Sequence, residues 1–393
     1  MNLKKVFFCA LLALMLGLIA ACALGETAKD ITKKCKISAS NGGASKMTDG
    51  KVNEYWEAKK SFSTVTVKLP SGTKAGGMLI EWFVKFTSFE YTQYDQDGAV
   101  LRGENSDGYF QGTVTWLNVE PEAVKLELKV YSKGRICGLH VYSQGEIDPE
   151  IQMWENPPEK LDLMLIVAHQ DDEQLWFGGL LPYYCAVRKS DVQVIYMTSC
   201  GRARIKESLN GLWTMGVKTV PEVVGFKNSY TTVKESTELW GGKENIERSM
   251  VRLIRKYRPE VIVTHDIKGE YGHPQHKLIA MRIVDAAKAA ADPNQYPDSA
   301  ALYGAWEVKK VYLHLGDTNA IYMDWNTPSE RLGGKTPLEM AALGFKEHKS
   351  QQKRYNMDMG KKYDYTKFSL VYTTVGPDVM KNDFLENTPA LEP

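Results

Sequence analysis

The first residues that could do chemistry lie in the stretch "LMLIVAHQDDEQLWFGG", which begins at Leu163. An apolar run that is typical of a buried strand ends there, and one histidine and three consecutive acids follow it: His169, Asp171, Asp172 and Glu173. Adjacent carboxylates repel one another, and a bound cation would remove that repulsion. Because His169 and Asp172 are three residues apart on a predicted strand-to-helix turn, both can converge on one ion, which leaves Asp171 free to act as a base.

A second cluster, "THDIKGEYGHPQH", follows the apolar run "PEVIVTH" and precedes a predicted helix, whose first turn suits Pro274. His273 and His276 are again three residues apart, so that one can bind a metal while the other stays free. His169, Asp172 and His276 would supply two nitrogens and one oxygen with room for water, the open set that catalytic Zn²⁺ prefers. The same set suits Fe²⁺. Either pair alone is ordinarily a helix cap or a surface feature, and only their joint position after two core strands favours a metal site.

The elements that position these clusters follow an alternating pattern. Continuous apolar runs such as "LMLIVAH", "DVQVIYMTS", "PEVIVTH" and "VKKVYLHL" alternate with helical segments such as "EQLWFGGLLPYYCAVRK" and "NIERSMVRLIRKYR". This alternation predicts a parallel sheet with helices on both faces, a Rossmann-like three-layer α/β/α domain over residues 161–380. In such sheets the functional site lies beyond the carboxyl ends of the strands, where both clusters fall.

The part of the chain before this domain has a different pattern. Residues 27–147 contain short β-branched and aromatic runs separated by turn signals, which predict an all-β jelly-roll sandwich. A segment rich in proline and charge, residues 148–160, is the predicted linker. Three tyrosines of the sandwich could contact a glycan, although packing within strands is the simpler role for them: Tyr91, Tyr94 and Tyr109.

The first 25 residues have the design of a secretory signal peptide, with a basic start, a short apolar stretch and then small residues. The run "LIAAC" resembles a bacterial lipobox, which would make Cys22 a lipidated residue. The run "ACA" equally offers cleavage after Ala23. We therefore expect a secreted protein or a cell-surface lipoprotein, with membrane contact only through such a lipid anchor.

Composition excludes several classes of partner and site. The formal net charge is +1, and no run of Lys or Arg suggests a nucleic-acid surface. The four cysteines beyond the leader show no CxxC spacing, which disfavours a zinc cluster of cysteines. They are Cys35, Cys137, Cys185 and Cys200. Outside the cytosol a disulfide is permitted but not required.

Three motifs of the second domain resemble those of the PIG-L/LmbE-like N-acetylglucosaminyl deacetylase family. "AHQDDE" resembles its "AHPDDE" signature, "YGHPQH" resembles its usual "GHPDH", and "TSCGRARIKESLNGLWTMGV" fits the segment between them. The resemblance covers roughly residues 162–375. It implies a metal-dependent hydrolase that removes the acetyl group from an N-acetylated sugar, such as a GlcNAc-type glycan, by means of a metal-activated water.

The resemblance also implies roles for individual residues. His169, Asp172 and His276 match the metal ligands, and Asp171 matches the general base. His273 matches the catalytic histidine, expected as an imidazolium, beside the scissile amide.

Further roles concern the oxyanion and the substrate. Tyr271 matches a residue that helps to hold the oxyanion in some members. Arg204 matches a residue that contacts substrate; a surface pair with Glu207 is an equally simple reading. Asn228 stands where many members have a substrate-orienting Asp, and Gln275 stands where the family has an Asp that would hydrogen-bond a ligand.

The first domain resembles the discoidin-like, galactose-binding jelly roll of coagulation-factor C-type modules, through "SASNGGASKMTDGKVNEYWEA" and "GLHVYS". In that fold the first and last strands lie close together, so that Cys35 and Cys137 could be bridged. A glycan or cell-wall surface is the expected partner of this domain. Two other functions stay open: a catalytically impaired glycan-binding protein, and a metal-dependent hydrolase of another N-acyl amide. His348, in a late segment, could reach the site, although a solvated helix end is the simpler reading.

Overall fold

The structure is a computed structural model that describes residues 26–51, 53–83, 88–106, 114–357 and 362–388. The predicted signal peptide, with Cys22, lies outside these residues. The chain divides into two compact units, Met1–Met153 and Trp154–Pro393. Within the described ranges, each helix is too short or too polar to cross a bilayer.

The first unit is all-β, as predicted. Its described strands are β1 (Lys36–Ala39), β2 (Trp56–Glu57), β3 (Phe62–Lys68), β4 (Ala75–Trp82), β5 (Phe89–Tyr94), β6 (Val100–Asn105), β7 (Val114–Asn118), β8 (Lys125–Tyr131) and β9 (Arg135–Ser143). They form two antiparallel sheets, in the orders β1-β3-β8-β5-β6 and β2-β9-β4-β7. Buried and half-buried residues alternate along β8, because each sheet turns one face to a shared core.

The possible bridge between Cys35 and Cys137 is not formed. Cys35 Sγ donates to the carbonyl of Ile31 at 3.5 Å, and Cys137 Sγ donates to the carbonyl of Glu81 at 3.3 Å. Each thiol is thus directed at a carbonyl of a different segment.

Two of the three tyrosines considered for glycan contact are described. Tyr91 has no exposed surface and belongs to the core, so it cannot contact a glycan. Tyr94 is half-buried, and its hydroxyl donates to Glu127 Oε2 at 2.9 Å. Tyr109 lies outside the described residues. Packing is therefore the role of Tyr91.

The second unit is built on a seven-stranded sheet. Its strands are β10 (Leu161–Val167), β11 (Val192–Ser199), β12 (Glu222–Lys227), β13 (Pro259–Thr264), β14 (Lys310–His314), β15 (Ala320–Tyr322) and β16 (Lys367–Thr373). They lie in the order β12-β11-β10-β13-β14-β16-β15. The first five are mutually parallel, whereas β16 and β15 add two antiparallel pairings at one edge that the sequence pattern did not predict.

Two apolar cores lie on the two faces of this sheet. Alternate residues of β10 enter different cores: Leu163 and Leu165 join one, and Met164 and Ile166 join the other. The helices of this unit are α1 (Asp172–Leu175), α2 (Arg202–Thr214), α3 (Val233–Leu239), α4 (Lys243–Tyr257), α5 (Pro274–Ala291), α6 (Pro297–Tyr303) and α7 (Pro337–Lys346). Residues of α2 and α7 pack in the first core, and residues of α4 and α5 pack in the second.

The helix predicted over "EQLWFGGLLPYYCAVRK" is interrupted. Helix α1 ends at Leu175, and a π-helical turn, Pro182–Val187, follows after a bend. Gly178 adopts a φ of 54°, which favours glycine. A Cβ atom on Gly179 would lie 2.7 Å from Pro337 Cβ. The two glycines therefore serve the turn and close packing rather than a continuous helix.

Candidate metal and catalytic site

The two clusters of the sequence meet at one edge of the sheet. Strands β10 and β13 are neighbours and parallel, so their carboxyl ends lie side by side. His169 and Asp172 follow β10. His273 is the N-cap of α5, Pro274 is its first residue, and His276 lies in its first turn. Parallel pairing thus brings together residues that are more than a hundred positions apart in the chain.

Three acceptor atoms converge at this edge. His169 Nδ1 lies 3.1 Å from Asp172 Oδ2 and 3.2 Å from His276 Nε2, and the latter two atoms are 3.4 Å apart. All three residues are buried. Ligand atoms about 2.1 Å from a tetrahedral Zn²⁺ ion are separated from one another by about 3.4 Å. The spacing of the three atoms therefore fits one ion.

Hydrogen bonds on the far side of each imidazole determine which nitrogen has its lone pair toward this point. Gln275 Nε2 donates to the Lys227 carbonyl at 2.9 Å, so Gln275 Oε1 faces His169 Nε2, 3.0 Å away, and accepts its hydrogen. Glu270 Oε2, 2.7 Å from His276 Nδ1, accepts the hydrogen of that atom. Each ring then directs a lone pair at the shared point. Two lone pairs and a carboxylate oxygen that face one point form a site suited to a cation.

The described residues contain two further groups that could hold a metal, namely His169, His273 and His276, and Asp172, His265 and His276. His265 Nε2 lies 3.4 Å from Asp172 Oδ2. That nitrogen already accepts the backbone N–H of Ala168 at 3.0 Å. Because its lone pair is occupied, His265 is a weaker candidate ligand than His169.

Glu270 is a buried carboxylate that the sequence interpretation did not single out. Its Oε2 faces His276, and its Oε1 lies 3.2 Å from His265 Nδ1 and 3.0 Å from His314 Nδ1. Burial opposes the charged form, but His265 and His276 hold the pKa of Glu270 well below its usual range. His265 directly follows β13 and His314 ends β14, so the strand-end pattern that drew attention to His169 also marked them.

Asp171 lies beside the three candidate ligands and pairs with an arginine. Arg204 Nη2 is 2.5 Å from Asp171 Oδ2, and Arg204 Nε donates to the Gln170 carbonyl at 3.0 Å. Burial raises the pKa of Asp171 to about 7, although Arg204 acts in the opposite direction. The alternative pairing of Arg204 with Glu207 is wrong: Glu207 accepts hydrogen bonds from the backbone and hydroxyl of Ser350 instead.

His273 faces the same cavity as Asp171, in surroundings that disfavour the expected imidazolium. Its Nδ1 accepts the backbone N–H of Gln275 at 3.2 Å, as a helix N-cap does. Burial and the neighbouring His276 lower the pKa of His273 to about 2. A neutral imidazole that accepts at Nδ1 carries its hydrogen on Nε2, so His273 remains a hydrogen-bond donor.

An open cavity of about 410 Å³ adjoins these residues. Its lining includes the metal-site residues His169 and Asp172 and, around them, Asp171, Leu175, Trp176, Arg204, Asn228, Tyr230, Tyr271, His273, Gln351, Arg354 and Tyr355. Asn228 is exposed, and its amide lies 3.3 Å from Cys200 Sγ. Burial raises the pKa of the Tyr271 hydroxyl well above its usual range, so this group stays protonated.

The late segment contributes to the cavity through residues that were not predicted. Gln351, Arg354 and Tyr355 line it. His348 neither reaches the cavity nor lies in solvent: it is fully buried, and its Nε2 is 3.9 Å from Glu173 Oε1. No local signal in the sequence distinguished Arg354 and Tyr355, because packing of α7 on α2 brings their segment to the cavity.

Comparisons with known proteins agree with the motifs. The sequence model of the family described as "PIG-L: GlcNAc-PI de-N-acetylase" matches residues 164–288. A 1D-myo-inositol 2-acetamido-2-deoxy-alpha-D-glucopyranoside deacetylase of Rhodococcus opacus (strain B4) is 30% identical over 188 residues, which are 40% of this chain and 63% of that protein. The chain thus spans less than two thirds of the length of this relative.

Two solved structures are similar to separate parts of the chain. The N,N'-diacetylchitobiose deacetylase of Pyrococcus horikoshii matches 55% of this chain and 79% of its own, at 16% identity and a TM-score of 0.37. The family 32 CBM of Clostridium perfringens NanJ, solved in complex with galactose, matches 30% of this chain and 99% of its own, at 16% identity and a TM-score of 0.25.

Proposed function

We propose that this chain, whose residues 164–288 form a PIG-L family domain, is a zinc-dependent N-deacetylase that acts on an N-acetylated sugar. One observation carries the proposal. His169 Nδ1, Asp172 Oδ2 and His276 Nε2 face one point at separations of 3.1–3.4 Å, and the carboxylate of Asp171 lines the same open cavity. A cation site, a base and room for substrate are therefore adjacent.

His169, Asp172 and His276 would hold the ion. Bound Zn²⁺ supplies Lewis-acid activation of a water molecule and of the amide carbonyl. Fe²⁺ suits the same three ligands.

The remaining chemistry belongs to residues of the chain. Asp171 accepts a proton from the attacking water as the water oxygen bonds to the acetyl carbon. The Nε2–H of neutral His273 and the Tyr271 hydroxyl donate hydrogen bonds to the developing oxyanion, each worth about 3 kcal/mol if well placed. When the carbon–nitrogen bond breaks, Asp171 returns its proton to the departing amine. The products are acetate and a free amino sugar.

The proposal extends to the setting of the enzyme. The sheet order and the two apolar cores support a Rossmann-like three-layer arrangement for residues 161–380. The basic and apolar leader supports export, either as a secreted protein or through lipidation of Cys22. Residues 27–147 would then bring the enzyme to a glycan or cell-wall surface.

Acetate release tests the function. The protein loaded with Zn²⁺ is assayed on N-acetylglucosamine, N-acetylated chitooligosaccharides and peptidoglycan fragments, with and without chelator. We expect chelator-sensitive release that falls by a factor of about 10²–10⁴ in Asp171→Asn. Asp317→Asn is the matched control, because that side chain is 95% exposed and distant from the cavity lining.

Absence of acetate release from every substrate, with stoichiometric Zn²⁺ bound, would contradict the deacetylase. Release of a different acid from other N-acyl substrates would then identify a related amidase. Glycan binding without hydrolysis of any amide would identify a catalytically impaired binding protein.

A further inference from the structure

Of the three consecutive acids in "QDDE", only Glu173 has no role in the proposed reaction. It has no exposed surface. It is absent from the cavity lining and from both groups of the described residues that could hold a metal. A fully buried carboxylate without a chemical task is costly to retain, so its contacts deserve explanation.

The backbone of Asp171 is strained. Its φ is 139° and its ψ is −14°, a region that residues with a Cβ atom rarely adopt. Such conformations persist only where surrounding contacts hold them, and they cluster at active sites. The strain directs the Asp171 side chain toward the cavity, whereas the following residue, Asp172, begins α1.

Glu173 supplies the contact that holds this backbone. Its Oε2 accepts the backbone N–H of Asp171 at 3.0 Å. Its Oε1 accepts the hydroxyl of Tyr196 at 2.6 Å, and Tyr196 is itself fully buried in β11. Helix α1 holds the other side of the same residue, because the Asp171 carbonyl accepts the backbone N–H of Leu175 at 3.2 Å. The Tyr196–Glu173 pair thus connects the central sheet to the strained peptide.

We propose that Glu173 is a positioning residue that keeps the Asp171 backbone in its strained conformation and so aims the Asp171 carboxylate at the reacting water. This inference rests on the proposed function, in which Asp171 is the base. Asp171 is held at both ends: Arg204 contacts its carboxylate, and Glu173 contacts its backbone. Glu173 acts through Asp171 and touches no substrate.

Two variants separate the reach of the side chain from its carboxyl group. Glu173→Gln keeps the length of the side chain and an oxygen that can accept the Asp171 N–H, but it replaces the carboxyl group with an amide. Glu173→Asp keeps the carboxyl group, but it is one methylene too short to reach that N–H. Glu173→Ala removes both properties. The set is measured for kcat, KM and bound Zn²⁺, beside wild type.

We expect Glu173→Gln to retain kcat within about threefold of wild type, since its oxygen accepts the same hydrogen bond. Glu173→Asp and Glu173→Ala should lose about 10²-fold in kcat, with little change in KM or Zn²⁺ content, because a misplaced catalytic group costs about that factor. If Glu173→Ala does not fold, the comparison of kcat between Glu173→Gln and Glu173→Asp still tests the positioning role. An active Asp variant with an inactive Gln variant, or equal kcat in all variants, would overturn the proposal.

A readout that does not depend on catalysis separates this inference from the proposed function. Amide hydrogen exchange is followed at Asp171 in protein labelled selectively with ¹⁵N-aspartate. The Asp171 amide should be protected in wild type and Glu173→Gln and should exchange faster in Glu173→Asp and Glu173→Ala. Equal protection in all four proteins would refute the positioning role. Protection as expected in a wild type that releases no acetate would refute only the proposed function.

Discussion

Glu270 Oε2 lies 2.7 Å from His276 Nδ1, so a buried carboxylate contacts one nitrogen of the ring whose other nitrogen, Nε2, faces the candidate metal position. The same carboxyl group contacts His265 and His314 through its other oxygen. A carboxylate in this position fixes the tautomer and the orientation of the ligand and increases its basicity. The affinity of the proposed metal site should therefore depend on Glu270 as well as on the three candidate ligands.

The first prediction concerns metal affinity. Glu270→Ala should weaken Zn²⁺ binding by a factor of about 10–100, which is typical for loss of such a partner. Glu270→Gln should weaken it less, because an amide oxygen can still accept the His276 hydrogen. Competition with a chromogenic chelator measures both values. Glu244→Gln, at a side chain that is 78% exposed, is the control. Unchanged affinity in Glu270→Ala would exclude this role.

The second prediction concerns the oxyanion. Tyr271→Phe removes one hydroxyl from the cavity and should lower kcat by a factor of about 10²–10³ without changing the Zn²⁺ content. Tyr230 lines the same cavity, and its ring lies 6.4 Å from that of Tyr271 in a stacked arrangement. Tyr230→Phe keeps the aromatic ring that lines the cavity and should affect KM more than kcat. A Tyr271→Phe variant with normal kcat would remove Tyr271 from the mechanism.

The third prediction concerns stability. Lys310 is fully buried and pairs with the buried carboxylate of Asp378, which also accepts the Tyr312 hydroxyl. Asp378→Ala would leave the Lys310 charge uncompensated and should lower the free energy of unfolding by about 3–5 kcal/mol. The exposed pair of Lys367 with Asp317 is the matched comparison.

Denaturant titration measures both variants. Asp317→Ala should cost much less than Asp378→Ala, because water screens that pair. If both variants lose a similar amount of free energy of unfolding, burial does not make the Lys310–Asp378 pair more important for stability than the exposed pair.

The fourth prediction concerns the interrupted helix. Gly179→Ala places a methyl group 2.7 Å from Pro337 Cβ and 2.9 Å from Trp325 Cβ, where atoms cannot approach without a shift. We expect a loss of about 1–3 kcal/mol in the free energy of unfolding. Gly103→Ala is the control, because nothing lies within 4 Å of the added Cβ. A stable Gly179→Ala protein would mean that the neighbouring loop repacks easily.

Parts of the site were predictable because a general rule of parallel sheets applies to them. Apolar runs mark β10 and β13, and polar residues at the carboxyl ends of neighbouring parallel strands must come close together. The pairs His169 with Asp172, and His273 with His276, could therefore be placed at one edge from spacing alone. The same rule, applied to His265 and His314, would have predicted the histidines around Glu270.

The sequence by itself determined the order of an all-β unit before an α/β unit, and which histidines and acids could meet at a strand edge, because both follow from local periodicity. Only the tertiary structure decided what those residues contact. Gln275 orients His169 across 106 positions of the chain, Arg204 pairs with Asp171 rather than Glu207, and Cys35 and Cys137 stay unbridged. The reason is physical: each of these contacts depends on how segments distant in sequence pack together, and no local pattern encodes that distance.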